Sequence, residues 1–295
     1  MEEKTIVYIN SYHTGLAWSD GILSGIKSEL INSNVRLHVF EMDTKRKQSE
    51  HHKQEAALRA KAFIEKNNPD VVIISDDNAA KYLIVPYFLN GTLPVVFCGI
   101  NWDASEYRFP AKNVTGMIEV QLIPELIERL LPYATGKRIG YLKRESLSSR
   151  KEVEYFEKAL GVNIDKRFAQ NIHQWKSEYI DLQDSVDILL MGNGSAIPGW
   201  DEEDFRSFVL ENTRIPSAGW DISTKELVLL TFGNKAEEQG SWAAKKALEI
   251  VKGKAVESIS LAKNKKAIVF INTLLAKKLD IIFPFELIDQ ASLVP

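Results

Sequence analysis

The run Val71-Val-Ile-Ile74 carries no polar side chain on either face, so a strand built from it has to be covered on both sides. A parallel sheet flanked by helices meets that condition, and the surrounding sequence supplies the helices. A strand over Thr5–Asn10 precedes a helix from about Ser19 to Ile31, in which Ile22, Ile26 and Leu30 form one apolar stripe. Gly25, beside that stripe, suits close packing on the sheet. A strand over Arg36–Met42 leads to a long helix from about Ser49 to Lys66, stopped by Asn67-Asn68-Pro69. After Val71–Ile74 come a helix over Ala79–Phe88 and a strand over Pro94–Cys98. Helices between consecutive strands call for right-handed crossovers.

The pattern restarts after Val114–Glu119, where the chain is expected to cross into a second lobe. A helix over Leu122–Leu131, a strand over Arg138–Leu142, a loop over Lys143–Ser149 and a helix over Arg150–Leu160 follow. Further strands are expected at Asp187–Met191, Pro216–Gly219 and Leu227–Phe232. The helix Lys235–Lys252 turns Ala243, Ala244, Ala247, Leu248 and Val251 inward and ends at Gly253. A strand over Ala267–Ile271 and a short helix over Leu274–Leu279 close the chain. A length of 295 residues exceeds one ordinary core and suits two α/β lobes, each a doubly wound parallel sheet.

Charge excludes two classes of partner. There are 37 Lys and Arg against 40 Asp and Glu, a formal net charge of −3, so nothing favours nucleic acid or an anionic membrane surface. Cys98 is the one cysteine, which rules out an intrachain disulfide. No apolar run reaches the length of a membrane span. Met1-Glu2-Glu3-Lys4 leads straight into a strand with no signal peptide. Either the protein is cytoplasmic, or an export signal has been trimmed and Met1 stands in its place.

Catalytic and cofactor motifs fail. Gly192-Asn193-Gly194 is followed by Ile197 where a dinucleotide loop has its third glycine. Gly136-Lys137 lacks the rest of a phosphate loop, and there is no G-x-S-x-G elbow. The five histidines, His13, His38, His51, His52 and His173, show no metal-ligand spacing. The expectation is therefore no metal, no cofactor and no catalytic residue.

Polar and aromatic residues recur at strand ends instead. Open α/β sheets bind ligands outside the carboxyl ends of their strands. Ser11, Tyr12, His13 and Trp18 follow the first strand; Ser75, Asp76, Asp77 and Asn78 follow the third; Gly99, Asn101 and Trp102 follow the fourth. In the second half Ser146, Ser148 and Ser149 follow one strand, Asn193 and Ser195 another, and Trp220 with Asp221 a third. Converging on one cleft, they would line a small-molecule site with aromatic walls. Each also has a plainer use: Ser148, Ser149 and Asp77 as helix caps, Trp18 and Trp102 as core. One of Asp76 and Asp77 is expected to cap the following helix, leaving the other for a ligand. Trp175, Trp200 and Trp242 read as packing.

Several stretches resemble a known family. Asn10-Ser-Tyr-His13 with Trp18-Ser-Asp-Gly21, Ser75-Asp-Asp-Asn-Ala79, Val96-Phe-Cys-Gly-Ile-Asn101, Val114-Thr-Gly116 with Glu119, and Glu238-Gln-Gly240 before Ala243-Ala244 are similar to substrate-binding proteins of ABC transporters with the type I periplasmic binding fold. The branch includes aromatic amino acid binders, and related sensor domains serve histidine kinases and diguanylate cyclases. The resemblance implies two lobes joined by a multi-strand hinge, residues 1–118 with 234–262 and 119–233 with 263–295. Ser11, Tyr12, Asp76, Asn78, Asn101 and Glu119 would meet the ligand from the first lobe. Ser148, Ser149, Asn193, Trp220 and Asp221 would approach from the second. Leu227–Gly233 departs from the family in holding a single glycine before the Glu-Gln-Gly helix.

The expected function is capture of a small molecule, an amino acid or related zwitterion, by hinge closure for ABC-type import. A membrane permease or a signalling protein would be the partner, and the location periplasmic or extracellular. Helix N-termini would receive a carboxylate, a tryptophan would cover a ring, and Asp76, Glu119 or Asp221 would take an ammonium group. The alternatives are a receptor's sensor domain, a two-lobed enzyme using His13 as acid–base group, and a transcription-factor effector domain. No helix-turn-helix segment precedes Thr5 to favour the last.

Overall fold

Apolar strands and one-faced helices alternate through both halves of the chain, and each half closes around its own sheet. The computed structural model describes residues 3–194 and 197–295, so Ser195 lies outside the described residues. The chain opens with β1 (Lys4–Asn10), α1 (Ala17–Leu30), β2 (Val35–Glu41), α2 (Glu50–Asn67) and β3 (Val71–Ser75). The short α3 (Asp76–Ala79), a π-helical turn (Ala80–Ile84), α4 (Val85–Tyr87), β4 (Val95–Asn101) and β5 (Val114–Glu119) follow. Next are α5 (Ile123–Leu130), β6 (Ile139–Arg144), α6 (Leu147–Leu160), β7 (Asp165–Ala169) and α7 (Ile172–Ser185). Then come β8 (Ile188–Met191), α8 (Glu202–Asn212), β9 (Ser217–Gly219) and β10 (Leu230–Asn234). The last elements are α9 (Ala236–Val251), β11 (Ala262–Lys263), β12 (Ala267–Asn272), α10 (Thr273–Lys278), α11 (Phe285–Ile288) and β13 (Ala291–Val294).

Two compact units result. Unit 1 runs to Val120 and resumes over Lys235–Lys266; unit 2 comprises Gln121–Asn234 and Ala267–Pro295. The chain therefore passes between units three times. Unit 1 holds a six-stranded sheet in the order β11-β5-β4-β3-β1-β2, parallel throughout. Unit 2 holds seven strands in the order β13-β12-β10-β9-β8-β6-β7. Both lobes are mainly parallel, as expected, with one exception here: β12 runs antiparallel to β10, Leu230 facing Ile271. A strand that returns from the other unit has no crossover helix of its own to force it parallel.

The core of unit 1 joins Ile6, Tyr8, Ile73, Val96 and Cys98 of the sheet to Ile22 and Ile26 of α1 and Ala243, Ala244 and Ala247 of α9. All five residues of β3 are buried, as its apolar run requires. Gly25 does allow close packing, but against α9 rather than the sheet. A Cβ on Gly25 would lie 2.3 Å from the Glu237 carbonyl oxygen, and one on Gly240 would lie 1.9 Å from that of Ile22. In unit 2, Tyr141, Leu189 and Leu190 of the sheet and Phe156, Trp175 and Tyr179 of the helices are fully buried. Trp175 thus packs as read, stacked on Tyr179 with ring centroids 5.3 Å apart.

Several elements escape the sequence patterns, among them the short β11, α11 and β13. β7 is an edge strand whose Asp165-Lys-Arg sequence shows no apolar run, and α7 and α8 carry mixed polar surfaces. The expected loop Lys143–Ser149 is shorter than read. β6 continues to Arg144 and α6 begins at Leu147, so Ser148 and Ser149 sit in its first turn.

Candidate functional site

Within unit 1 the carboxyl ends of β1, β3, β4 and β5 gather most of the residues singled out in the sequence. Ser11 is buried, and its hydroxyl is fully used. It donates to the Ser75 carbonyl at 2.5 Å and accepts the Ala79 N–H at 2.9 Å. The helix after β3 is thus capped from the β1 loop. This corrects the expectation that Asp76 or Asp77 caps it, because both carboxylates are held elsewhere. Ser75 bonds the Tyr8 hydroxyl at 2.9 Å instead of the helix.

Asp76 is 2 % exposed and has a left-handed backbone, φ 67°. One carboxylate oxygen, Oδ1, accepts the Trp18 indole N–H at 2.8 Å. The other, Oδ2, is buried and has no hydrogen-bond partner. Burial pushes this carboxyl up to about 7, against the lowering influence of Trp18 and Ser75. The Asp77 charge raises it further and Lys45 opposes it. Asp77 accepts the Tyr107 hydroxyl at 2.8 Å and the Asn101 amide at 3.3 Å. Asn78 donates to the Thr44 hydroxyl, which in turn donates to the Ser11 carbonyl.

The register of β4 against β5 shifts between Phe97 and Ile100, and Gly99 takes φ 69° at that irregularity. Its freed N–H donates to Gln239 Oε1 at 3.0 Å, while Gln239 Nε2 is buried without a partner. Trp102 also has positive φ and donates its N–H to the Glu119 carbonyl at 2.8 Å. Tyr12 is half-buried beside these groups. Burial, with the charges of Asp76, Asp77 and Glu119, pushes its hydroxyl well up. Lys45 Nζ lies 5.3 Å from the Tyr12 ring centroid. His13 is half-buried, with Nδ1 bonded to the Thr14 carbonyl.

In unit 2 the predicted residues have more local uses. Ser146 caps α6 by accepting the Ser149 N–H; Ser149 is buried and Ser148 exposed. Asp221 caps the turn Ile222–Thr224 through the Ser223 N–H, and Asn193 donates to the Ser223 hydroxyl at 2.6 Å. Trp220 is 7 % exposed, stacked on Tyr141 at 5.7 Å with its edge against Phe156. Its indole N–H reaches Glu152 Oε2 at 3.2 Å. Glu152 also accepts the Tyr141 hydroxyl and the Lys143 ammonium, both at 2.8 Å. Tyr141, Lys143, Glu152, Tyr107, Thr44 and Gln239 are the site-region residues the sequence reading missed. Only two left a trace there: Lys143 opened the expected loop, and Gln239 sat inside the Glu-Gln-Gly motif.

A concavity of about 820 Å³ in unit 1 lies elsewhere, lined by Lys4, Asn32, Val35 and Val251 near the amino ends of β1 and β2. It brings together no cluster of the polar groups described above. Among the described residues no group of three or more His, Cys, Asp or Glu could hold a metal ion. No described helix is long and apolar enough to cross a membrane.

The sequence profile of ABC transporter substrate binding proteins matches residues 12–294. The chain belongs to this family. Membership implies a small-molecule ligand and a transporter partner, and such proteins are generally not enzymes. This substrate binding protein is similar in fold to an ABC domain from Streptococcus pneumoniae solved in complex with L-Trp. The identity is 17%, the TM-score 0.60, and both chains are covered in full. It is also similar to the ligand-free, open structure of a substrate binding protein with adhesive properties from Clostridium difficile. There the identity is 15%, the TM-score 0.74, and 99% of each chain is covered. The Lac repressor bound to ONPG matches at 13% identity and TM-score 0.55 over 91% of this chain and 81% of the other. The fold is that of type I periplasmic binding proteins and the Lac repressor family. A comparison with curated protein sequences found no match.

Proposed function

We propose that this substrate binding protein captures an amino acid or related zwitterion outside the cytoplasm and delivers it to an ABC permease. The carrying observation is Asp76 Oδ2, a buried carboxylate oxygen with no partner at the carboxyl end of β3. A buried acceptor left unmade costs about 1–3 kcal/mol, more when charged, and a ligand ammonium group would supply the missing donor. Trp18 fixes the other oxygen, so the acceptor is oriented before any ligand arrives. Tyr12, Asp77, Asn101, Trp102 and Glu119 border the same strand ends and would read the rest of the ligand. His13, Ser75, Asn78 and Gly99 would shape that wall, as Ser11 does through its bonds. From unit 2, Ser148, Ser149, Asn193, Trp220 and Asp221 are proposed to approach on closure, each unit acting as one jaw of a hinge. The L-Trp complex of the pneumococcal structure supports an amino acid over a sugar.

The test is a thermal-shift and calorimetric screen of amino acids, purines and sugars on ligand-stripped, refolded protein. A true ligand at a hundred times its Kd adds about 2.7 kcal/mol of stability, which the melting midpoint reports. At least one L-amino acid is expected to shift it. A shift from purines or sugars, with every amino acid silent, would overturn the reading.

A further inference from the structure

We propose that Lys143 is the anion-binding group of unit 2 and takes the ligand's carboxylate; this rests on the amino acid reading above. The side chain does not extend freely from β6. A Cβ on Gly192 would lie 2.4 Å from Lys143 Cδ, 2.7 Å from Cγ and 2.8 Å from Cε. The lysine stem therefore lies across Gly192, the residue that follows β8. Its Nζ ends 2.8 Å from Glu152 Oε1 and 5.3 Å from the ring centroid of Trp220, the residue that follows β9. One cation thus spans the carboxyl ends of three neighbouring strands, β6, β8 and β9. In an open α/β sheet that edge is where ligands bind.

Glu152 has both of its oxygens engaged on its side of the pair. It accepts from Tyr141, Lys143 and Trp220, and its side chain is 9 % exposed. Lys143 is not saturated. Its ammonium has three N–H groups, Glu152 is its one hydrogen-bond acceptor among the described residues, and its side chain remains 22 % exposed. A buried ion pair is a weak source of stability, since an apolar pair of similar volume often serves as well. Here it fixes an otherwise mobile side chain, so that a ligand anion meets an ammonium whose rotamer is already chosen. The serines at the start of α6 do not offer the same, because Ser146 and Ser149 bond each other.

The experiment is calorimetry on the full chain with the tightest-binding L-amino acid of the screen and with its carboxamide. The carboxamide keeps the ammonium and side chain but lacks the carboxylate. Lys143→Met removes the cation. Gly192→Ala keeps it and displaces it, since the three atoms nearest the new methyl all belong to the Lys143 side chain, and this variant guards against a folding defect in the first. Both are expected to weaken the amino acid about tenfold or more and to leave the carboxamide unchanged. Wild-type affinity for the amino acid in both variants would overturn the assignment. So would an equal loss for both probes. If no amino acid binds wild-type protein, the zwitterion reading has failed and this assignment falls with it.

Discussion

Asp76 sets two opposed demands on one carboxyl group. Its folded value near 7 lies above the ordinary value of 3.8, with burial as the main cause. The folded chain therefore holds a proton that the unfolded chain has lost between those two values. Stability from this group is fully present below about pH 4 and declines as pH rises through 7, by up to about 4 kcal/mol. Asp76→Asn keeps an acceptor for Trp18 and abolishes the ionisation. Denaturant titrations at pH 5 and pH 8 should show the wild type losing stability between them by more than the variant does. The same variant should lose binding of ammonium-bearing probes in calorimetry. The chemistry at this position was legible in the sequence, as a carboxylate after an apolar strand. Its environment was not: the partner oxygen is governed by Trp18, 58 positions away, and no local pattern encodes which of two adjacent aspartates turns inward.

At the scale of elements, the sheets and their covering helices were legible because burial on both faces leaves long apolar runs and one-faced stripes. What failed had two different causes. β7 reads as a charged segment, since an edge strand has one face and one side to protect with Asp165, Lys166 and Arg167. The cap of the helix after β3 was misread because it comes from Ser11, not from a neighbour. Ser11→Ala leaves the Ala79 N–H and the Ser75 carbonyl without the partner they now share. It should cost about 1–3 kcal/mol in a denaturant midpoint measurement. The contact of α1 with α9 is stricter. At Gly240 the obstruction is the backbone of Ile22 at 1.9 Å, which cannot rotate away. Gly240→Ala should destabilise by about 1–3 kcal/mol or more, whereas Gly192→Ala meets a lysine side chain that can shift at the expense of its ion pair with Glu152, and should destabilise less.

For the whole molecule, the question is what the passages between units are anchored to. Asn264, 2 % exposed, holds both the N–H and the carbonyl of Val120, at 2.8 and 3.0 Å. That joins the first passage to the last within unit 1. Glu238, in the first turn of α9 just after the middle passage, accepts the N–H groups of Lys265 and Lys266. One block of unit 1 therefore anchors all three passages by side chains, which the proposed hinge closure would require. Neither residue was read from the sequence for this role, because a polar side chain that bonds distant backbone has no periodic signature. Asn264→Ala leaves two buried backbone groups unpaired and should lower stability by about 2–4 kcal/mol. If closure is what the hinge serves, solution scattering should show the wild type contracting when the amino acid is added, and the variant contracting less at equal concentration. Its affinity for the amino acid and for the carboxamide should then fall together, unlike the split expected at Lys143. A variant with reduced stability but unchanged affinity for both would separate the stitching of unit 1 from ligand capture.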